Sequence, residues 1–298
     1  MSEDKKITIV THNSNFHSDD VFAVATLLHI IGDKNIEIIR SRDNDVIEKA
    51  NYVVDVGGIY DPSTNRFDHH QVDGAGKREN TIPYASFGLV WKEYGAQISG
   101  SAEVAQKIDK TLVQCVDAID IGIDLVEPRI PDIFPYTIAD FVGSFMPSWK
   151  EEVKNYDEVF LLVVDIAKDL LTREIKKYKN KLEANSIVEE IYKNSVDKRL
   201  IVLDRYYPTS EVLSKYPEPL FVVGFRDDGK WDLVAIRKDP KFFANRKDLP
   251  QEWAGKRDAE LETITGVEGA TFCHNARFLI VAKTKEAILK LAEIALNS

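Results

Sequence analysis

Short β-branched runs alternate with amphipathic segments at the start of this chain, and that alternation restricts the region to an α/β sheet of mainly parallel strands with helices on its faces. Residues 7–10 and 36–40 read as strands, and residues 52–56, Tyr-Val-Val-Asp-Val, as a third. Between them, residues 21–31 carry apolar side chains at helical spacing, with Asp19 and Asp20 where an N-cap and a first-turn acid belong. Residues 45–50 read as a short helix.

Metal-ligand side chains gather where these strands stop. His12, His17, Asp19 and Asp20 follow the first strand, Asp55 interrupts the third, and Asp68-His69-His70 closes the series. An ionised carboxylate inside a buried strand costs several kcal/mol unless it is paired or bound to a metal. Gly57-Gly58, directly after Asp55, lets the backbone turn close to a ligand. The structural alternative is an Asp that caps a turn or pairs with Arg42 or Arg66. Open parallel sheets build their sites at the carboxyl ends of strands, so His12, Asp55 and Asp68 are expected to converge.

Residues 101–120 present Val104, Ile108, Leu112, Val116 and Ile119 as one apolar helical face. Asp117 and Asp120 lie three apart near its end, on one side of the helix, with Gly122 available to end it. Acids there oppose the helix dipole, and a bound cation would compensate. Cys115 and Cys273 are the only cysteines. They exclude a thiolate-rich zinc site and read as buried free thiols in a reducing compartment, whereas mixed His and carboxylate donors suit Mn²⁺ or Mg²⁺.

With 298 residues and 44% hydrophobic content the chain has core enough for two domains. No stretch approaches the roughly 20 apolar residues of a membrane span. Residues 1–6 are too short and too acidic for a signal or transit peptide, so a cytoplasmic protein without a membrane partner is expected. The net charge of −10 argues against a surface that binds duplex nucleic acid everywhere, though not against local basic grooves. Arg226, Lys230, Arg237, Lys238, Lys241, Arg246, Lys247, Lys256 and Arg257 form one basic cluster, interleaved with Trp231, Phe242, Phe243 and Trp253. Exposed rings there would stack single-strand bases; the alternative is that they are core.

Residues 153–194 lack Pro and Gly and read as one or two long helices joining two domains. Beyond them, residues 199–204, 220–226 and 231–237 read as strands, with Asp227-Asp228-Gly229 as a hairpin turn. Residues 278–282 add a strand, and Thr284 caps a final helix over 285–296. The expected boundaries are 1–150 for the metal-binding domain, 151–195 for the helical connector and 196–298 for a smaller α+β domain with an antiparallel sheet.

Several blocks carry a family resemblance. Thr11-His12-Asn13 through His17-Ser18-Asp19-Asp20, Val53 to Gly58, Arg66 to Gln71 and Val116 to Asp120 closely resemble the MYG (melanocyte proliferating gene) family. Arg40 to Asp43, Gln251 to Arg257 and Asn275 to Phe278 fit the same pattern. More distantly the chain is similar to the DHH phosphoesterase superfamily, which includes single-strand exonucleases, oligonucleotide phosphatases and manganese-dependent inorganic pyrophosphatases.

The resemblance implies a DHH-like first domain holding a pair of Mn²⁺ or Mg²⁺ ions. Asp55 would bridge them, with His12, Asp19, His69 and Asp117 or Asp120 as further ligands, and with His17 or Asp20 completing the set. His70 is expected on substrate phosphate rather than metal. Arg257, His274 and Arg277 are expected to bind substrate from the second domain, against the alternative of a His and an Arg satisfied at a sheet edge. Asp55, His69 and His70 would carry the chemistry. The activity implied is a metal-dependent phosphodiesterase, most sharply a 3′–5′ exonuclease on RNA or short single strands. A small-molecule phosphohydrolase and a catalytically silent metal-stabilised binding module are the alternatives. A homodimer is compatible with the sequence, in which no stretch identifies an interface.

Overall fold

A computed structural model describes residues 6–32, 35–239 and 242–298; Lys241 of the basic cluster lies outside them. The chain divides into two compact units, the first ending at Lys179 and the second running from Asn180 to Ser298.

The first unit is the expected α/β layer. In chain order it contains β1 (Ile7–Thr11), α1 (Ser18–Ile31), β2 (Ile36–Arg40), α2 (Asn44–Lys49), β3 (Tyr52–Val54), β4 (Tyr60–Asp61) and β5 (Arg66–Phe67). α3 (Ser86–Ser99), α4 (Ala102–Ile108), α5 (Gln114–Asp120) and α6 (Ile138–Gly143) follow, and then α7 (Tyr156–Asn194), within which the division between units falls. The sheet order is β2-β1-β3-β5-β4, parallel except for β4 against β5. β1 is therefore an interior strand, flanked by β2 and β3, and Ile9 and Val10 are fully buried. α1 is buried on nearly every side from Ser18 to Leu28 and packs on α3, which is why its apolar positions form a near-continuous run rather than a stripe. Phe160, Val163, Val164, Ala167 and Leu171 of α7 repeat at helical spacing and bury one face.

Three details differ from the sequence reading. β3 stops at Val54, because Asp55 adopts a left-handed backbone with φ of 55°; the carboxylate sits just past the strand end, not inside it. α1 begins at Ser18 with His17 as its N-cap, and Asp20 accepts from the His17 amide at 2.7 Å. The helix expected over 101–120 contains a π-helical segment, Asp109–Val113, between α4 and α5. Such insertions re-aim the side chains that follow them.

The second unit holds β6 (Leu200–Val202), α8 (Ser210–Leu213), β7 (Phe221–Phe225), β8 (Trp231–Ala235), α9 (Asp258–Thr265), β9 (Ala270–Cys273), β10 (Leu279–Ala282) and α10 (Lys285–Asn297). Its order is β6-β7-β8-β10-β9, antiparallel except that β6 runs parallel to β7. Thr284 caps α10 by accepting from the Ala287 amide at 3.2 Å. Trp253 is buried in the core of this unit beside Leu261, Cys273 and Leu291, so it cannot stack on a base; Trp231 packs on the same core. Phe242 and Phe243 are exposed, and Arg237 lies over the Phe243 ring at 4.5 Å. Among the described residues no helix is long and apolar enough to cross a membrane.

Candidate metal centre

The loop from β1 into α1 is held by Arg40, the last residue of β2. Its Nη2 donates to the Ser14 carbonyl at 2.7 Å, its Nη1 pairs with Asp157 at 2.9 Å, and its guanidinium lies 4.7 Å over the Phe160 ring. Ser14 has a φ of 69°, a strained turn that this anchoring supports. The loop thus delivers His12 and His17 to one place, with ring centroids 5.6 Å apart. A hydrogen bond from His12 Nδ1 to the Asn13 carbonyl, at 3.1 Å, leaves Nε2 as the inward atom. Nε2 lies 3.2 Å from Asp55 Oδ2 and 3.5 Å from Asp20 Oδ2.

The N-terminus of α3 organises the other side. Asp19 accepts from the amides of Ser86 at 2.9 Å and Phe87 at 2.7 Å, a carboxylate on the positive end of a helix. The Ser86 hydroxyl donates to Asp55 Oδ1 at 3.3 Å and lies 3.2 Å from His69 Nδ1. His69 Nε2 then reaches Asp120 Oδ2 at 3.4 Å. The next amide of α3, Gly88, serves a different carboxylate, donating to Asp117 Oδ1 at 3.0 Å. Arg78 Nη1 holds the second Asp117 oxygen at 2.7 Å, and Arg78 also pairs with Asp109 in the π-helical segment. Asp117 and Asp120, neighbours in the helix, therefore face different partners.

Asp68 supports rather than joins the cluster's centre. Its Oδ2 accepts from the Gly58 amide at 2.5 Å and its Oδ1 meets His70 Nδ1 at 2.7 Å. The His70 ring stacks on His69 at 4.2 Å, and 61% of its side chain is exposed, against 10% for His69.

The electrostatics report crowded negative charge. Burial pushes the Asp19 carboxyl well above the usual range, and Asp55, Asp120 and Asp117 push it further. Burial raises Asp20 to about 7 despite His12, and raises Asp120, with Asp55 adding to it. Burial alone would lower His12, but its hydrogen bond to Asp55 and the Asp20 charge leave it raised. Asp68 is the exception: burial opposes its charge, yet His70 and the Gly58 amide hold it below the usual carboxylate range.

Three overlapping groups could hold metal ions: His12, His17, Asp20 and Asp55; Asp55, Asp68, His69 and His70; and Asp19, His69 and Asp120. One observation tests the fit. Asp20 Oδ2 is buried without a hydrogen-bond partner, an expensive state for a carboxylate oxygen, and a cation shared with His12 and Asp55 would satisfy it. Oxygen and imidazole donors suit Mn²⁺ and Mg²⁺ class ions. The groups open into a cleft of about 430 Å³, also lined by Asn15, Arg42, Ile119, Ala139, Gly143 and Met146.

Of the residues singled out from sequence, the structure brings together His12, His17, Asp19, Asp20, Asp55, Asp68, His69, His70 and Asp120, and directs Asp117 to Arg78. Arg257, His274 and Arg277 belong to the second unit. Arg257 lies over the Phe272 ring at 4.4 Å, His274 Nδ1 accepts from the Ala276 amide at 3.0 Å, and Arg277 pairs with Asp248 at 2.9 Å. Much of the basic cluster has structural partners: Arg226 pairs with Asp228, Lys256 with Glu260, Arg246 donates to the Tyr216 and Pro219 carbonyls, and Lys247 to the Leu296 carbonyl. Sequence reasoning missed α3, and with it Ser86 and the amides that hold Asp19. The signal was present in the apolar residues Phe87, Leu89, Val90 and Trp91 that follow Pro83 and Ser86.

The model of the uncharacterised protein family UPF0160 (MYG1_exonuc) matches residues 8–296. A MYG1 protein of Dictyostelium discoideum is 33% identical over 98% of this chain and 97% of its own length. The MYG1 exonuclease of Homo sapiens is 28% identical over 97% of this chain and 85% of its own. A solved structure of an uncharacterized protein from Helicobacter pylori G27 aligns over 98% of this chain and 100% of that one, at 12% identity and a TM-score of 0.28. The chain belongs to the UPF0160 family.

Proposed function

We propose that this member of the UPF0160 family is a divalent-metal-dependent nuclease, with Asp55 shared between a pair of ions. The observation that carries the reading is the division of labour between the two Asp55 oxygens. Oδ2 faces His12 at 3.2 Å, while Oδ1 faces Ser86 Oγ at 3.3 Å and His69 Nδ1 at 3.6 Å. A carboxylate whose oxygens address two donor sets is suited to bridge two cations. His12, Asp20 and His17 would complete one site, and Asp19, His69 and Asp120 the other; Asp117, already held by Arg78, is left out.

Such ions, when bound, supply charge against the attacking and leaving oxygens of a phosphodiester and acidify a water between them. The protein's part is to hold that charge in place. The α3 amides fix Asp19, the Ser86 hydroxyl links Asp55 to His69, and Arg40 pins the loop of His12 and His17. Asp68 orients His70 through Nδ1, leaving its exposed Nε2 for a substrate phosphate.

The names of the mammalian relatives support removal of nucleotides from a strand end, and a 3′–5′ exonuclease acting on single-stranded RNA with Mn²⁺ or Mg²⁺ is the sharpest form of the proposal. It is tested with 3′-labelled and 5′-labelled single-stranded RNA in Mn²⁺, with Asp55→Ala as control. Mononucleotides released by the wild type alone, in the order the labels dictate, support it. Undiminished turnover by a clean Asp55→Ala preparation overturns it. Inert RNA with turnover of pyrophosphate would replace it with a small-molecule phosphohydrolase.

A further inference from the structure

Arg42 is the only Arg or Lys among the described residues that line the cleft. It is exposed, and among the described residues it has no hydrogen-bond, ion-pair or ring partner. Three other arginines of the first unit are committed: Arg40 to Ser14 and Asp157, Arg66 to the Ala50 carbonyl, Arg78 to Asp109 and Asp117. The absence of a partner is informative because the same cleft holds Asp55 and Asp120. A guanidinium beside surplus carboxylates normally pairs with one; this one stands apart from them.

Its backbone is fixed on both sides. The Ser41 amide donates to the Thr11 carbonyl at 2.7 Å, which ties the segment to the end of β1 and hence to His12. The Asp43 amide donates to Ser41 Oγ at 3.1 Å, and Asp43 caps α2 by accepting from the Asp45 amide at 2.9 Å. The neighbouring carboxylate is thereby engaged, and Arg42 is carried on a rigid strand-to-helix turn. Such a mounting fixes where the side chain starts, while the unpartnered guanidinium itself gives up rotamer freedom when a ligand orders it.

We propose that Arg42 grips a second phosphate of the substrate, beside the one being hydrolysed, so that the cleft reads two phosphates rather than one. This rests on the nuclease reading for the identity of the first phosphate. It narrows the substrate class to strands or strand ends that carry a neighbouring phosphate, which a guanidinium can hold through two parallel hydrogen bonds.

Three dinucleotides test it: ApA, with only the scissile phosphate, and its 5′-phosphorylated and 3′-phosphorylated forms, hydrolysed in Mn²⁺ by wild type, Arg42→Ala and Arg42→Lys. The wild type is expected to prefer one phosphorylated form by about tenfold in kcat/KM, mostly through KM. Arg42→Ala should lose that preference and Arg42→Lys should recover part of it. The same three ligands are measured by calorimetry with Ca²⁺ in place of Mn²⁺, which reads binding without turnover. An Arg42-dependent binding preference without hydrolysis would support the second-phosphate site and sink the nuclease reading instead. A phosphate preference that survives Arg42→Ala, or a wild type that binds all three alike, overturns the proposal.

Discussion

The Gly88 amide donates to Asp117 Oδ1 at 3.0 Å, and a Cβ on Gly88 would stand only 1.9 Å from Asp117 Oδ2. The glycine is required by proximity, because helix α3 presses its backbone onto a fully buried carboxylate.

Gly88→Ala is therefore expected to displace Asp117 from Arg78. Breaking a buried charge pair costs about 3 to 5 kcal/mol, and chemical denaturation should show a loss of at least about 2 kcal/mol after partial relaxation. A variant as stable as the wild type would mean that α3 can shift without cost.

Asp117 and Asp120 should separate in their effects. Asp120→Asn is expected to weaken Mn²⁺ binding by calorimetry at least about tenfold with little change in melting temperature. Asp117→Asn should mainly lower stability, because buried Arg78 loses one of its two carboxylate partners and keeps only Asp109. The reverse pattern would exchange their roles.

Ser86→Ala keeps the amide that holds Asp19 and removes only the hydroxyl between Asp55 and His69. Supporting hydrogen bonds of this kind are worth about 10-fold to 100-fold in metal affinity. Metal titration of Ser86→Ala should show that loss, and rescue by Ser86→Thr would tie it to the hydroxyl rather than to packing.

The pH dependence of the metal-free protein has a definite sign. Asp20 is raised from 3.8 to about 7 by burial, and Asp19, Asp120 and His12 are raised too. The folded state holds these protons more tightly than the unfolded chain, so their contribution is fully present below about 3.8 and is lost as pH rises through about 7. In chelator the melting temperature should fall from pH 5 to pH 8, and Asp20→Asn should flatten that slope. Mn²⁺ at pH 8 should restore stability, since binding to the folded state alone stabilises it. A chelated protein most stable at pH 8 would contradict the buried carboxylate cluster.

Much of the first unit was legible because each signal was local. β-branched runs, helical spacing and polar residues at strand ends located β1, β2, β3 and α1, and with them His12, His17, Asp19, Asp55 and His69. Ser86 and Arg78 escaped because their roles depend on groups distant in sequence: Ser86 on Asp19 and Asp55, Arg78 on Asp117. In the basic cluster of the second unit the local signal was ambiguous for the same reason. Arg246 and Lys247 are charged residues that serve carbonyls inside their own unit, which composition alone cannot distinguish from a phosphate-binding face.

The sequence by itself determined the α/β class, the donor chemistry and the neighbourhood of the site, because strand ends and residue types are properties of short segments. Only the tertiary structure decided which carboxylates share the cluster. Asp117 and Asp120 are equivalent by helical spacing, yet the packing of α3 against α5 directs an amide and Arg78 onto the first and leaves the second for His69. A carboxylate's role depends on which partners reach it, and those partners arrive from elements that only folding brings together.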